Sequence, residues 1–142
     1  MNPKIMKLRG ELEKNKSKIS DLQGRNRELE KQIRELEEAG CEIVRVAIPS
    51  ASALDGFQEI CSESPLPVVA DIHFDYRLAV EAARRGASAL RLNPGNIGSW
   101  DRVDACIDAA GEAAIPIRIG VNAGSLDREI DAREDLTQPE KL

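Results

Sequence analysis

The sequence has few of the residues that build metal sites and disulfide frameworks. Its 142 residues include one histidine and three cysteines, and no two cysteines form a Cys-x-x-Cys pair. That scarcity argues against a zinc site and against structural disulfides. Cys41, Cys61 and Cys106 are therefore interpreted as reduced thiols that serve as small buried hydrophobes, and no metal ligand is predicted in this chain.

Long apolar runs are also missing. No stretch approaches the roughly 20 apolar residues of a membrane span, and the charged first 18 residues lack the apolar core of a signal peptide. The net charge of −5 disfavours a general nucleic-acid binder. The expectation is a soluble, cytoplasmic protein that binds neither membrane nor nucleic acid.

The first 38 residues follow a heptad pattern and are predicted to form a coiled-coil helix that continues into the first barrel helix. The a positions are Ile5, Leu12, Ile19, Asn26 and Ile33, and the d positions are Leu8, Asn15, Leu22, Leu29 and Leu36. β-Branched or leucine residues at a, mostly leucine at d, and a polar Asn26 favour a parallel two-stranded coiled coil, and hence self-association. The alternative is a long helix packed on its own domain.

From residue 39 to 142 the pattern changes to alternating strands and helices. Four short β-branched or leucine-rich runs end in turn residues, at 41–49, 66–74, 87–95 and 115–124. Helical spacing fills the segments between them, with Gly86 placed as a helix C-cap. This alternation predicts an α/β fold with a parallel sheet of about four strands. No glycine-rich nucleotide motif follows any strand, which weakens a nucleotide-binding interpretation.

Polar side chains recur at the strand ends. The candidate binding residues are Arg45, Asp71, His73, Arg91, Asn93, Arg118 and Asn122. Side chains two apart on a strand share a face, and ligands of parallel α/β folds bind beyond the carboxyl ends of the strands. Three arginines suit a phosphate or diphosphate, histidine could donate to phosphate or move a proton, and the amides and Asp71 could fix hydroxyls. The segments NPGNIG and VNAGS could add backbone N–H groups as an anion nest, or could be tight turns only.

Three segments carry a resemblance to a known family. VVADIHFDYRLAVEAA, LRLNPGNIG and IPIRIGVNAGSL resemble signature segments of the 4-hydroxy-3-methylbut-2-enyl diphosphate synthases of the non-mevalonate isoprenoid pathway. The resemblance implies a TIM-like barrel that grips a cyclic diphosphate, 2-C-methyl-erythritol 2,4-cyclodiphosphate, for reductive ring-opening. It also implies a C-terminal domain with a [4Fe–4S] cluster, reduced by flavodoxin or ferredoxin. By this resemblance Arg45, His73, Arg91 and Arg118 match diphosphate-gripping positions, with Asp71, Asn93 and Asn122 beside them.

The chain also departs from that family. A TIM barrel needs eight strands and about 250 residues, whereas four strands are recognisable here, and coiled-coil sequence replaces the family's first strand. None of the three cysteines lies in a segment like the family's cluster-binding motif. The prediction is therefore a partial TIM-like barrel, without a cluster and inactive alone. The alternatives are a dimerising coiled-coil protein that carries an inactive barrel fragment, and another phosphate-binding barrel enzyme such as a pterin-binding synthase.

Overall fold

The computed structural model describes residues 3–121, 124, 126 and 128–141, which form one α/β unit behind a long helix. The helices are α1 (Pro3–Glu38), α2 (Leu54–Glu63), α3 (Tyr76–Arg84), α4 (Pro94–Ile97), α5 (Trp100–Glu112), α6 (Arg128–Asp131) and α7 (Gln138–Lys141), with a 3₁₀ turn at Ala51–Ala53. The strands are β1 (Val44–Ala47), β2 (Val68–Asp71), β3 (Ala89–Leu92) and β4 (Ile117–Ile119). Four strands alternate with helices, as the sequence predicts.

The four strands make one parallel sheet in the order β1-β2-β3-β4. Each strand lies beside the next strand along the chain, as in a barrel built from βα units. Val44 aligns with Val68, Ala70 with Leu90, and Leu90 with Ile117. The predicted partial TIM-like sheet is therefore confirmed.

The two faces of the sheet differ in burial. One face carries the buried residues Val44, Val68, Ala70, Leu90 and Leu92, and the core behind it includes Phe57, Ile60, Ala79, Ala82, Val103 and Cys106 from the helices. The opposite face, which we call the open face, carries Arg45, Val69, Asp71, Ala89, Arg91 and Arg118, most of them half-buried or exposed. Burial of one face by helices fixes the register of every strand, because a slip by one residue would turn the apolar set outward.

Local signals set the helix ends. Asp75 caps α3 by accepting a hydrogen bond from the backbone N–H of Arg77 at 3.0 Å. Gly86 has φ +96°, so it takes the left-handed conformation after α3 that its predicted role as a C-cap requires. Over the described part of the chain, the helices are too short or too polar to cross a bilayer.

Helix α1 uses its apolar positions in two ways. Near its C-terminal end Ile33 is 4% exposed and Leu29 packs against the core. One turn earlier, Asn26 Nδ2 donates to Glu59 Oε2 of α2 at 3.0 Å, and Asn26 lies against Gly56. In contrast, Leu8, Leu12 and Ile19 are all more than half exposed. The end of the heptad seam thus packs on its own domain, the alternative considered for the whole helix, and the parallel dimer remains a prediction.

Candidate anion-binding site

Asp71 is the centre of a charged cluster on the open face. Its side chain is only 11% exposed, and two arginines and a histidine surround it. Asp71 Oδ2 lies 3.4 Å from Arg45 Nε and 3.4 Å from His73 Nε2, and Asp71 Oδ1 accepts a hydrogen bond from Arg91 Nη1 at 3.2 Å. The sequence predicts that Asp71 and His73 share a site, and the structure places them in contact.

The strand register brings this cluster together. Asp71 aligns with Arg91 on β3, and Arg91 aligns with Arg118 on β4, so the three form a row across the sheet. Arg45 aligns with Val69, which is two residues before Asp71 on the same face of the sheet. His73 is in the loop after β2 and reaches back to Asp71. Four of the predicted residues therefore meet directly, and Arg118 extends their row.

Gly120 gives the Arg91 side chain its place. A Cβ at residue 120 would lie 2.6 Å from Arg91 Nη2 and 2.9 Å from Arg91 Cζ, so the guanidinium rests directly on the glycine backbone. Glycine is the residue that permits such a close approach. The sequence indicates Arg118 and Asn122 on either side of Gly120. It does not show that Gly120 makes room for the Arg91 side chain, because that contact depends on how the strands pair.

The cluster has excess positive charge. Three arginines and one carboxylate leave a net charge of +2 before any protonation of His73. The side chains of Arg45 and His73 are 53% and 56% exposed, so their pairs with Asp71 are weak and both donors remain accessible to a ligand. Arg91, at 23% exposure, is held more firmly. The arrangement suits an anion that carries more than one negative charge.

Asn93 has a different environment from the cluster. It is 2% exposed, and its Oδ1 accepts a hydrogen bond from the backbone N–H of Gly95 at 3.1 Å, at the start of α4. The segment NPGNIG thus begins a short helix with proline at its first position. Asn93 Oδ1 stabilises this turn, and its predicted contact with a ligand hydroxyl is untested. Asn122 lies outside the described residues.

An aromatic ring beside the cluster was not predicted. The Phe74 ring stands edge-on to the His73 imidazole, with centroids 6.2 Å apart and planes at 87°, and Phe74 is 70% exposed. The sequence signal for this ring pair is the aromatic residue directly after the histidine. Phe74 therefore adds an exposed apolar ring beside the charged cluster.

The cysteines do not fit an iron–sulfur cluster. Among the residues described, no three histidine, cysteine or carboxylate side chains lie close enough together to hold a metal ion. Burial raises the pKa of both the Cys61 and the Cys106 thiol to about 11, which opposes the thiolate form that ligates such a cluster. Cys41 Sγ instead donates to the Ile43 carbonyl at 3.1 Å.

Comparison with known proteins gives one consistent result. Residues 18–142 match the GcpE TIM-barrel domain. Proteins named 4-hydroxy-3-methylbut-2-en-1-yl diphosphate synthase (flavodoxin) are 54% identical over 111 residues in Maridesulfovibrio salexigens and 60% identical over 99 residues in Clostridium acetobutylicum. These alignments cover 78% and 70% of this chain but 31% and 28% of the relatives. The chain therefore spans about 30% of the length of the curated relatives it matches.

Proposed function

Because the chain belongs to the GcpE TIM-barrel domain family, we propose that its open face is the diphosphate-binding part of a 4-hydroxy-3-methylbut-2-en-1-yl diphosphate synthase. The family reaction is reductive ring-opening of 2-C-methyl-erythritol 2,4-cyclodiphosphate. The observation that carries the proposal is the cluster of Arg45, His73 and Arg91 around Asp71, with Arg118 in the next strand. A doubly charged ligand with two phosphate groups matches its excess positive charge.

The proposed roles follow from exposure and contacts. Arg45 and Arg118 are exposed and donate to one phosphate group each, while Arg91 donates from a fixed position. Asp71 is a positioning residue, because the Arg45, His73 and Arg91 side chains each lie within 3.4 Å of its carboxylate. His73 donates to a phosphate oxygen. Asn93 and Asn122 belong to the same proposed pocket through the family resemblance.

The proposed activity of this chain is binding without turnover. In the full-length family, a [4Fe–4S] cluster supplies the electrons for ring-opening. Flavodoxin, which appears in the names of the relatives, is the proposed electron donor of the full-length enzyme, with ferredoxin as the alternative. The described residues offer no fitting cluster ligands. We place this function in the cytoplasm, where a soluble electron donor would be available.

The binding proposal is tested by calorimetric or NMR titration of the chain with the cyclic diphosphate. Losing one charge-assisted hydrogen bond costs about 1.5–3 kcal/mol, so Arg91→Ala and Arg118→Ala are each expected to weaken binding by roughly 10-fold or more. Arg84→Ala is the matched control, because Arg84 is the last residue of α3 and pairs with Glu81 of the same helix. An identical response from wild type and the Arg91 and Arg118 variants contradicts the proposal.

Self-association through α1 is a second proposal, favoured by the exposed stripe of Leu8, Leu12 and Ile19. It assigns residues 1–38 to a coiled-coil helix that continues into the first barrel helix, and residues 39–142 to the partial barrel. Sedimentation should show a dimer at micromolar concentration that a double Leu12→Lys, Ile19→Lys variant loses. Crosslinks between the start of one helix and the end of the other would contradict the parallel orientation.

A further inference from the structure

The Asp71 carboxylate occupies the point at which donors of the open face converge. Arg45 Nε and His73 Nε2 both lie 3.4 Å from Asp71 Oδ2, and Arg91 Nη1 donates to Asp71 Oδ1 at 3.2 Å. These groups come from β1, from the loop after β2 and from β3. Both carboxylate oxygens are therefore engaged, and an anion that enters from solution meets a negative group where the cations are closest together.

The contacts to Asp71 are long for groups of opposite charge. Charge-assisted N–H···O bonds to a carboxylate are typically about 2.7–2.9 Å long, whereas the contacts here are 3.2–3.4 Å. One carboxylate has about four acceptor positions, and two guanidiniums together carry about ten N–H groups. Asp71 can therefore accept only part of what Arg45 and Arg91 donate, and the remaining donors are available to a ligand that reaches around the carboxylate.

Arg118 lies in the same row of the sheet but outside this set of contacts. It aligns with Arg91, and no carboxylate of the described residues forms an ion pair with it. The open face thus has two kinds of donor: an arginine that no described carboxylate holds, and three groups that share Asp71. A ligand with two separated phosphate groups can bind donors of both kinds at once, whereas a compact anion cannot.

From this arrangement we propose that Asp71 is a specificity-determining residue, which fills the convergent anion position and so makes the open face reject small anions such as inorganic phosphate. A compact anion binds best where several donors converge, and the chain's own carboxylate occupies that position. A diphosphate spreads its charge over a larger volume and binds the remaining donors from outside. The inference rests on the proposed function of the open face and adds the class of ligand that this face excludes.

A carboxylate with a purely structural role predicts the opposite effect of its removal. If Asp71 only held the cations together, its loss would let them separate by mutual repulsion, and the binding of every anion would weaken. If Asp71 also competes with ligands, its loss leaves a position bordered by Arg45, His73 and Arg91 that a phosphate ion can fill. The sign of the change in phosphate affinity therefore separates the two roles.

The test is calorimetric titration of the intact chain with inorganic phosphate and with the cyclic diphosphate, at low ionic strength. Asp71→Ala should bind phosphate roughly 10-fold or more tightly than wild type, because a like charge no longer opposes the ion. The preference for the cyclic diphosphate over phosphate should fall severalfold. Asp104→Asn, on the exposed side of α5, removes one negative charge elsewhere and is the matched control, with the affinities of wild type.

A second variant keeps the test decisive if Asp71→Ala does not fold, which circular dichroism shows. Asp71→Asn keeps the volume of the side chain but not its charge, so it should also bind phosphate more tightly, by a smaller factor than Asp71→Ala. Unchanged or weaker phosphate binding in the folded variants overturns the inference. Wild type that does not bind the cyclic diphosphate contradicts the proposed function instead, since the gain of phosphate binding depends on Asp71 alone.

Discussion

Gly120 determines how closely the Arg91 guanidinium can approach the backbone that follows β4. An added methyl group would lie under 3.0 Å from the guanidinium, which is the far end of a flexible side chain and can move away. We predict that Gly120→Ala leaves the free energy of unfolding within about 1 kcal/mol of wild type but weakens diphosphate binding severalfold, because Arg91 leaves Asp71. Calorimetry and urea denaturation measure the two effects.

The control for Gly120→Ala is Gly111→Ala. Gly111 lies in α5 with no atom within 4 Å of an added Cβ. Alanine there should stabilise the helix by about 0.5–1 kcal/mol and leave anion binding unchanged. Equal affinities for the Gly120 and Gly111 variants would show that the position of Arg91 has no influence on the site.

Cys106 should make stability fall in alkaline solution. Its thiol is fully buried, with Sγ 3.8 Å from the Tyr76 carbonyl, and burial raises its pKa from an ordinary 9.0 to about 11. Between these values the unfolded chain releases a proton that the folded chain retains. The stability contributed by the neutral thiol is therefore complete below pH 9 and is lost as pH rises toward 11.

Comparison with Cys106→Ala isolates this effect. The wild type should lose about 2–3 kcal/mol more than the variant between pH 8 and pH 11, measured by urea denaturation. Between pH 6 and pH 8 the difference between the two proteins should stay constant, because the thiol is neutral in both states. Parallel stability curves across the alkaline range would contradict the assignment.

Single-residue patterns revealed the charged cluster but not its internal arrangement. The two-residue spacing of Asp71 and His73 predicts a shared face, and their contact follows from it. That Asp71 would also contact Arg45 and Arg91 depends on strand register, which arises from helices burying the opposite face. The sequence could not show whether Asn93 caps a turn or contacts a ligand, since an asparagine before Pro-Gly is suited to both roles. In the structure its Oδ1 accepts the capping hydrogen bond from the Gly95 N–H.

At the scale of elements, α1 divides into a part that belongs to the domain and a part that does not. Ile33 is 4% exposed and Ile19 is 54% exposed, although both occupy the same heptad position. We predict that Ile33→Ala lowers the free energy of unfolding by about 2–4 kcal/mol through the cavity it leaves. Chemical denaturation at low protein concentration, where association is minimal, measures this change.

Ile19→Ala is the matched substitution on the exposed part of α1. Its effect on the unfolding free energy should remain within about 0.5–1 kcal/mol at the same low concentration. If Ile33→Ala and Ile19→Ala lower the free energy of unfolding equally, the heptad seam contributes to stability along its whole length, and this prediction is wrong. A heptad repeat shows which side of a helix is apolar but not whether α2 or a second copy covers it, which is why the sequence left both possibilities open.

At the scale of the whole molecule, the alternation of strand and helix was predictable because each apolar run ends in a turn residue. The sequence also indicated the family, and the match over residues 18–142 confirms it. The family match begins inside α1, at residue 18, and the sequence also predicts that this helix continues into the barrel, although heptad spacing alone does not mark where the barrel part begins. The contacts of Asn26 and Leu29 explain why part of the helix belongs with the barrel.

The intact chain should not assemble an iron–sulfur cluster. Anaerobic reconstitution with iron and sulfide should give no stable [4Fe–4S] absorbance, since the Cys61 and Cys106 thiols are held neutral by burial. A full-length relative treated in parallel provides the positive control. A stoichiometric cluster that disappears on Cys→Ser substitution would refute the prediction.

The exposed first part of α1 also has a mechanical consequence. Roughly 20 residues precede the contacts that fix the helix to α2, and at 1.5 Å per residue they extend about 30 Å beyond the sheet. Tumbling in solution is then faster about the helix axis than across it, and a label near residue 4 reports that axis directly. Any molecule joined to this end is separated from the arginines of the sheet by about 30 Å of helix. A protein fused there would therefore leave the anion site unobstructed.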